Sequence, residues 1–483
     1  MRFAKTLMVL MLAIAHLFLD AQIAEVRTYG FTGGDERAKE VIDLSDGGYA
    51  FIGTTNANDG WSTDIILYRL DADLNVVWTQ VYGFAGLDEG VSLVQKVDGG
   101  FYFLATTLNA QNSYHLQLYS VDEFGNMIQT LDLGTSDWDF AVKMKLLIDG
   151  GLIILGETYS VPSNDRDLLL ICLNNDLTPR WTQTLGGELE DFAADVEQAG
   201  NGTLYILGTS LISELPEQYS FHYWKMDENG ITEWDETMDI PGSYFARGLA
   251  TMANGFVATG HQITASGNDK FILRIDSDAN LIWDRHYPLE GNQSLADVVV
   301  LPDLGFGLAG ETDAFGLGGW GVYVMEADGN GIWVNAAVFG DVQNEKAYSV
   351  LLDSSFRIIF AGESNSYEGN TIENYLVRLS NDQVYAEYTL DLEHFQQDSF
   401  TGIEEESGMN SANTFLLDGS NILYDFRWVQ AQVDITDING SLIWSGFSSD
   451  GNLNLSQHIL CSGMYLLVSK TESKMDVCRL LKP

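Results

Sequence analysis

Across 483 residues the chain carries 69 acidic against 24 basic side chains, a formal net charge of −45. That field repels nucleic-acid phosphates and argues against a DNA or RNA role. Hydrophobic residues are 46% of the chain; high Gly, many aromatics and little helical patterning predict an all-β protein with a large core.

The first element in chain order is a signal peptide at 1–21. Arg2 and Lys5 give it a positive start, Leu7–Leu19 is mostly apolar, and Leu19-Asp20-Ala21 offers a cleavage site before Gln22. No later run approaches the roughly 18 apolar residues of a membrane helix, so no transmembrane span is expected. Cys172, Cys461 and Cys478 are the only cysteines. A hairpin turning near Glu472-Ser473 does not set Cys461 opposite Cys478, so no bridge is expected.

From residue 22 to 391 one unit repeats. Its fullest form is Asp64–Gly83, DIILYRLDADLNVVWTQVYG: two apolar runs joined by Asp/Asn turn residues, which reads as a β-hairpin. It returns at Asp167–Gly186, Phe271–Tyr287 and Val322–Gly340. A small residue marks the repeat at Gly53, Ala105, Gly156, Gly208, Gly260, Gly310 and Gly362, with spacings of 52, 51, 52, 52, 50 and 52. An aromatic follows at Trp78, Trp181, Trp234, Trp283, Trp333 and Tyr385, with Gln129 as the departure. Both markers give seven repeats of four strands, the signature of a seven-bladed β-propeller. The strand Gly is expected to permit close backbone approach, and the Trp to fill the space between blades. One strand is left over, so either Ile23–Gly30 or Val384–Asp391, or both, closes the ring. Residues 392–413 read as a linker. Residues 414–483 hold short strands between Asp-Gly and Asn-Gly turns, as in a small β-sandwich.

Catalytic motifs are missing. The chain has no HExxH, GxSxG, CxxC or GxxxxGK, and its histidines lack metal-ligand spacing. The two GxGxxG runs, Gly305–Gly310 and Gly316–Gly321, open no helix and so cannot cradle a phosphate. Asp276-Ser277-Asp278-Ala279-Asn280 has the start of a calcium loop without its Gly and distal Glu, and reads as a plain turn. No cofactor or metal is expected. Ten residues before each DGG-type turn lies a column of acids: Glu36, Asp88, Asp139 and Glu190, followed by Ser243, Gln293 and Gln343. Preceding the innermost strand, the four acids are expected at one mouth of the channel, as candidate ligand-binding residues for a cationic or hydroxyl-rich partner. A solvated loop is the plainer reading.

With Tyr82-Gly83, Asp88-Glu89, Asp98-Gly99-Gly100-Phe101 and the hairpin unit, residues 23–391 resemble the secreted propeller repeats of Bacteroidetes-type bacteria. The C-terminal region resembles the type IX secretion system sorting domain. Val433–Trp444, Leu455-Ser456, Ser462–Leu467 and Arg479–Lys482 carry that likeness, and the usual Pro-Asn-Pro opening is missing. The resemblance implies passage through the periplasm, then secretion or attachment at the outer-membrane surface, with the type IX machinery as partner of residues 414–483. The expected function is a non-enzymatic binding module for a glycan or surface protein. The alternative is a polysaccharide-active enzyme at the channel mouth. An exposed aromatic or charged patch would favour the first; paired carboxylates or a His cluster in one pocket would favour the second.

Overall fold

Seven four-stranded antiparallel sheets follow one another along the chain. The structure is a computed structural model that describes residues 24–379, apart from loop segments at 32, 58–61, 84–85, 109–112, 160–164, 239, 289–290, 315–318, 341–342 and 367–370, and the strand backbones between 414 and 482. The signal segment, Val384–Asp391, Tyr385, the linker 392–413 and Cys461 lie outside the described residues.

Blade 1 consists of Glu36–Asp43, Tyr49–Thr55, Asp64–Leu70 and Val76–Tyr82, paired in that order. Blades 2 to 6 repeat the order, starting at Asp88, Asp139, Asp191, Ser243 and Gln293. Blade 7 joins Glu345–Leu352, Ile358–Ser364 and Glu373–Leu379 to the N-terminal strand Ala24–Tyr29, which takes the outermost place. Ala24 pairs with Leu379 and Tyr29 with Asn374, so the first described strand closes the ring. A chain whose ends meet in one sheet leaves no gap between first and last blades.

The strand glycines have a specific cause. Every first strand carries a β-bulge at one place, for example between Ala38 and Glu40 or between Leu295 and Asp297. There the first strand presses a carbonyl onto the second. A Cβ on Gly156 would sit 2.7 Å from the Phe140 carbonyl oxygen, and one on Gly208 2.8 Å from that of Phe192. Blade 2 reverses the pair: Ala105 faces Gly90, where blade 1 sets Gly53 against Ala38.

The tryptophans join neighbouring blades. Trp78 Nε1 donates to the Glu123 carbonyl, Trp181 to Glu228 and Trp234 to Ser277, each at 3.1 Å and each in the next blade's turn. The rings of Trp78, Trp181 and Trp283 lie against Gly125, Gly230 and Gly331, all at positive φ. Gln129 has no ring to offer, and the facing turn of blade 3 carries the buried Leu177 instead. Trp333 needs correction. It pairs with Ala327 at the start of its strand, and Asn335, paired with Glu326, occupies the column.

A belt at the axis completes the joints. One residue after each bulge stand Glu40, Ser92, Lys143, Asp195, Gly248, Asp297 and Ser349. Glu40 accepts the Leu93 N–H of the next blade at 2.7 Å, Ser92 that of Met144 at 3.0 Å, and Ser349 that of Val41 at 3.5 Å. Lys143 and Gly248 have no acceptor to give. After each of them an aspartate serves two N–H groups: Asp195 takes Val196 and Leu249, and Asp297 takes Val298 and Val350. All seven buried N–H groups are thereby satisfied, which removes the cost of about 1–3 kcal/mol that each would carry unpaired.

The chain divides at 389/390, and Leu390–Pro483 is a separate unit. In it a five-stranded sheet runs Thr414–Leu416, Met475–Lys482, Gly463–Lys470, Ala431–Asp437, Leu442–Ser448, with Ile422–Tyr424 pairing Asn452–Asn454. Cys478 faces Leu467 in the terminal hairpin. Among the described residues no helix is long and apolar enough to cross a membrane.

Candidate functional site

The acid column lies at strand starts but not in solvent. Glu36, Asp88 and Asp139 are fully buried, and the fourth place belongs to Asp191, one residue after the half-buried Glu190. The offset arises in the turn, where Asn201 matches Asp149 and the preceding Gly200 does not. The same pairing puts Tyr244, not Ser243, and Glu345, not Gln343, in the column, with Gln293 as expected.

These side chains tie down the crossovers between blades. Glu36 Oε1 accepts the Phe31 N–H and the Thr55 hydroxyl, both at 3.0 Å. Asp139 accepts from the Thr135 N–H, and Asp191 from the Gly187 N–H at 2.7 Å. Glu345 accepts from Ser364 at 2.9 Å. A Cβ on Gly30, Gly134 or Gly340 would collide with Glu36, Asp139 or Glu345, and one on Gly83 or Gly186 with Asp64 or Asp167 ahead of the column acid, which explains the Gly that ends five of the seven repeats. Burial pushes Glu36 and Asp139 above their ordinary values against the hydrogen bonds that lower them. Such groups offer a soluble ligand little, so the candidate mouth is built from other residues.

The open surface begins one residue later. The residue after each column acid and the bulge residue two further on share a strand face and stack as two rings around the axis. In blades 3, 4 and 5 the upper ring is aromatic: Phe140, Phe192 and Phe245, each half-buried. In blades 6, 7, 1 and 2 it is polar: Ser294, Lys346, Arg37 and the exposed Glu89. Further rings extend the aromatic half. Tyr114 lies 4.9 Å from Phe140, Tyr219 5.0 Å from Phe245, and Phe192 5.2 Å from Phe245. Trp138, 48% exposed, meets Tyr114 edge-on. Arg166 packs its guanidinium 4.6 Å from the Phe192 ring and is paired with Glu157. Across the mouth, Arg37 pairs with Glu363 at 2.9 Å and Lys346 with Glu311 at 3.1 Å.

The lower ring is small in blades 2, 3, 4 and 6 and large in blades 1, 5 and 7. Val91, Val142, Ala194 and Ala296 leave a cavity of about 160 Å³, lined as well by Lys39, Arg247 and Tyr348 and floored by Lys143, Asp195 and Asp297 of the belt. Lys39 Nζ lies 4.7 Å over the Tyr348 ring. Burial pushes the Lys39 ammonium below its ordinary value, and Arg247 is among the charges near it. Burial, then Arg247, likewise holds His261 near 4, neutral at physiological pH. Burial would raise Glu40, but Lys143 at 2.8 Å, with Lys145, holds it below the usual Glu value. These rings sit nine and seven residues before Asp46 and its equivalents, within reach of the counting that found the acids.

Ser210, His222 and Asp235 stand in the order of a catalytic triad: Ser210 Oγ to His222 Nδ1 is 2.6 Å, and His222 Nε2 to Asp235 is 2.5 Å. The Ser210 hydroxyl donates to Asp191, so in this arrangement its proton is directed away from His222. Among the described residues no group of three or more His, Cys, Asp or Glu is arranged to hold a metal. Asp276 uses its carboxylate on the N–H groups of Asp278 and Asn280 at 2.9 Å, as a turn residue does.

No family model matches the chain, and no curated protein matches it. Solved structures do. A catalytically inactive virginiamycin B lyase from Staphylococcus aureus with quinupristin is 12% identical, covering 74% of this chain and 100% of its own, with a TM-score of 0.49. A protein of unknown function from Dyadobacter fermentans is 11% identical over 74% of this chain and 100% of its own, with a TM-score of 0.45. Sqt1 from Chaetomium thermophilum is 13% identical over 70% and 83%, with a TM-score of 0.43.

Proposed function

We propose that the propeller is a non-enzymatic binding module whose upper axial face takes a saccharide. The observation that carries this is the half-ring of Phe140, Phe192 and Phe245, extended by Trp138 and Tyr219, facing a polar half-ring over a small cavity. Sugars present an apolar C–H face and a hydroxyl edge, and stack on aromatic planes while their hydroxyls bond to charged side chains. Leaving such rings half open costs solubility without serving the core, which is complete beneath them. In this reading the chain is exported by its N-terminal segment and released or surface-attached through the type IX machinery. Residues 414–483 would act as a β-sandwich sorting domain.

An oligosaccharide array probed with the full chain tests the binding claim. Saccharide signals that vanish in Phe192→Ala, with an unchanged melting temperature, are expected. An array silent to the wild type contradicts it.

A further inference from the structure

We infer that the saccharide is acidic, and that its carboxylate enters the axial cavity to meet Arg247 and Lys39. This rests on the saccharide reading and narrows it. Arg247 is the bulge residue of blade 5, two positions beyond Phe245 on the same strand face and therefore about 7 Å below that ring. Its side chain is exposed in the cavity, and among the described residues no carboxylate or carbonyl is bonded to it. Of the other cations around the mouth, Arg37 is paired with Glu363, Lys346 with Glu311 and Arg166 with Glu157, while Lys39 lies over the Tyr348 ring. In a chain with 69 acids and 24 bases, a guanidinium left unpaired at the axis is the exception. Lys39 faces the same space from blade 1 and rests on Tyr348. The acids of this space are accounted for: Asp195 and Asp297 each spend both oxygens on backbone N–H groups, and Lys143 is bonded to Glu40. Glu89, exposed on the upper ring, opposes an incoming anion, as do Asp195 and Asp297 on the floor, which Lys143 and Lys145 partly offset.

The spacing fits one sugar ring stacked on Phe192 or Phe245 with its carboxylate directed down the axis. A guanidinium holds a carboxylate through two parallel N–H bonds, which a neutral sugar cannot return. The acidic exterior limits the ligand to a short chain or a terminal unit. Repulsion from the shell acts beyond the Debye length of about 8 Å only weakly, but a long polyanion would lie along the surface within it.

Calorimetry with short galacturonate oligosaccharides and their fully methyl-esterified counterparts tests the inference on the full chain. The free acid is expected to bind at least tenfold more tightly than the ester. Arg247→Gln should remove that preference, and Glu89→Gln should strengthen acid binding several-fold without touching the ester. Equal binding of acid and ester overturns the inference and leaves the saccharide reading standing. Failure of both probes, while neutral oligosaccharides bind, also overturns it. Failure of every saccharide overturns both.

Discussion

The blade joints and the axial rings are built from the same seven repeats and behave in opposite ways. At the joints the repeats converge. Every bulge faces a small residue, five of the seven belt residues satisfy the next blade's N–H, and Trp78, Trp181 and Trp283 lie on a turn Gly. When one partner departs, the other follows: Gln129 stands in the Trp column where the next blade's turn carries Leu177 in place of Gly, and Ala105 pairs with Gly90. At the axis the equivalent positions hold Phe in three blades, cations or acids in three, and Ser in one. Positions that must close a ring of blades converge on one solution, because each mismatch is a buried clash or an orphaned polar group. Positions free of that duty diverge, and their divergence marks the surface proposed to meet a ligand.

The comparison breaks first at the bulge. Gly310→Val places a branched side chain against the Ser294 carbonyl, and should cost about 4 kcal/mol or more in urea unfolding. A loss under about 1 kcal/mol would show that the first strand relaxes and that the small column is not required.

A buried lysine gives the next effect. Lys270 lies between blades 5 and 6, donating to the Tyr287 carbonyl at 3.2 Å and lying over the Tyr323 ring. Burial pushes it from 10.5 down to about 7. Between those values the unfolded chain binds the proton that the folded chain has lost, so stability rises as pH climbs from about 7 towards 10.5 and is lowest below 7. Lys270→Met should flatten that rise and stabilise the protein near pH 6 by about 2 kcal/mol. A variant with the wild-type slope would remove Lys270 as its source.

The smallest effect sharpens the pairing rule. Gln129→Trp alone should destabilise by crowding Leu177, and Leu177→Gly alone by opening a cavity. Together they should recover about 1 kcal/mol of coupling. Strict additivity would mean that the two positions do not sense each other.

Blade number, strand order and the reason for the repeat glycines were legible in the sequence, because period and small-residue spacing directly encode close backbone approach. Closure by Ala24–Tyr29 was one of the readings left open, since the strand's unit says which neighbours it suits but not which edge is free. The acid column was legible as a column and misplaced in its fourth member. Gly200 resembles the turn anchor, whereas the positive-φ Gly202 fixes the true register at Asp191. Its burial was not legible: an acid before a strand usually marks a wet loop, and only the crossover N–H of Phe31 or Gly187 shows why these are dry. The aromatic half-ring was hidden because Phe140, Phe192 and Phe245 look like core residues until the bulge turns their faces to the axis.

The most direct test sets one residue of each region against the other. Trp181 is half-buried at a joint and Phe192 half-buried at the mouth. Affinity for the array's best saccharide and thermal stability should be measured on Trp181→Ala and Phe192→Ala together. The account predicts that Trp181→Ala loses about 3 kcal/mol of stability and keeps its affinity below its melting temperature, while Phe192→Ala loses affinity at least tenfold and melts within a few degrees of wild type. The reverse pattern, with Phe192 holding the fold and Trp181 the ligand, would contradict the division between joint and mouth.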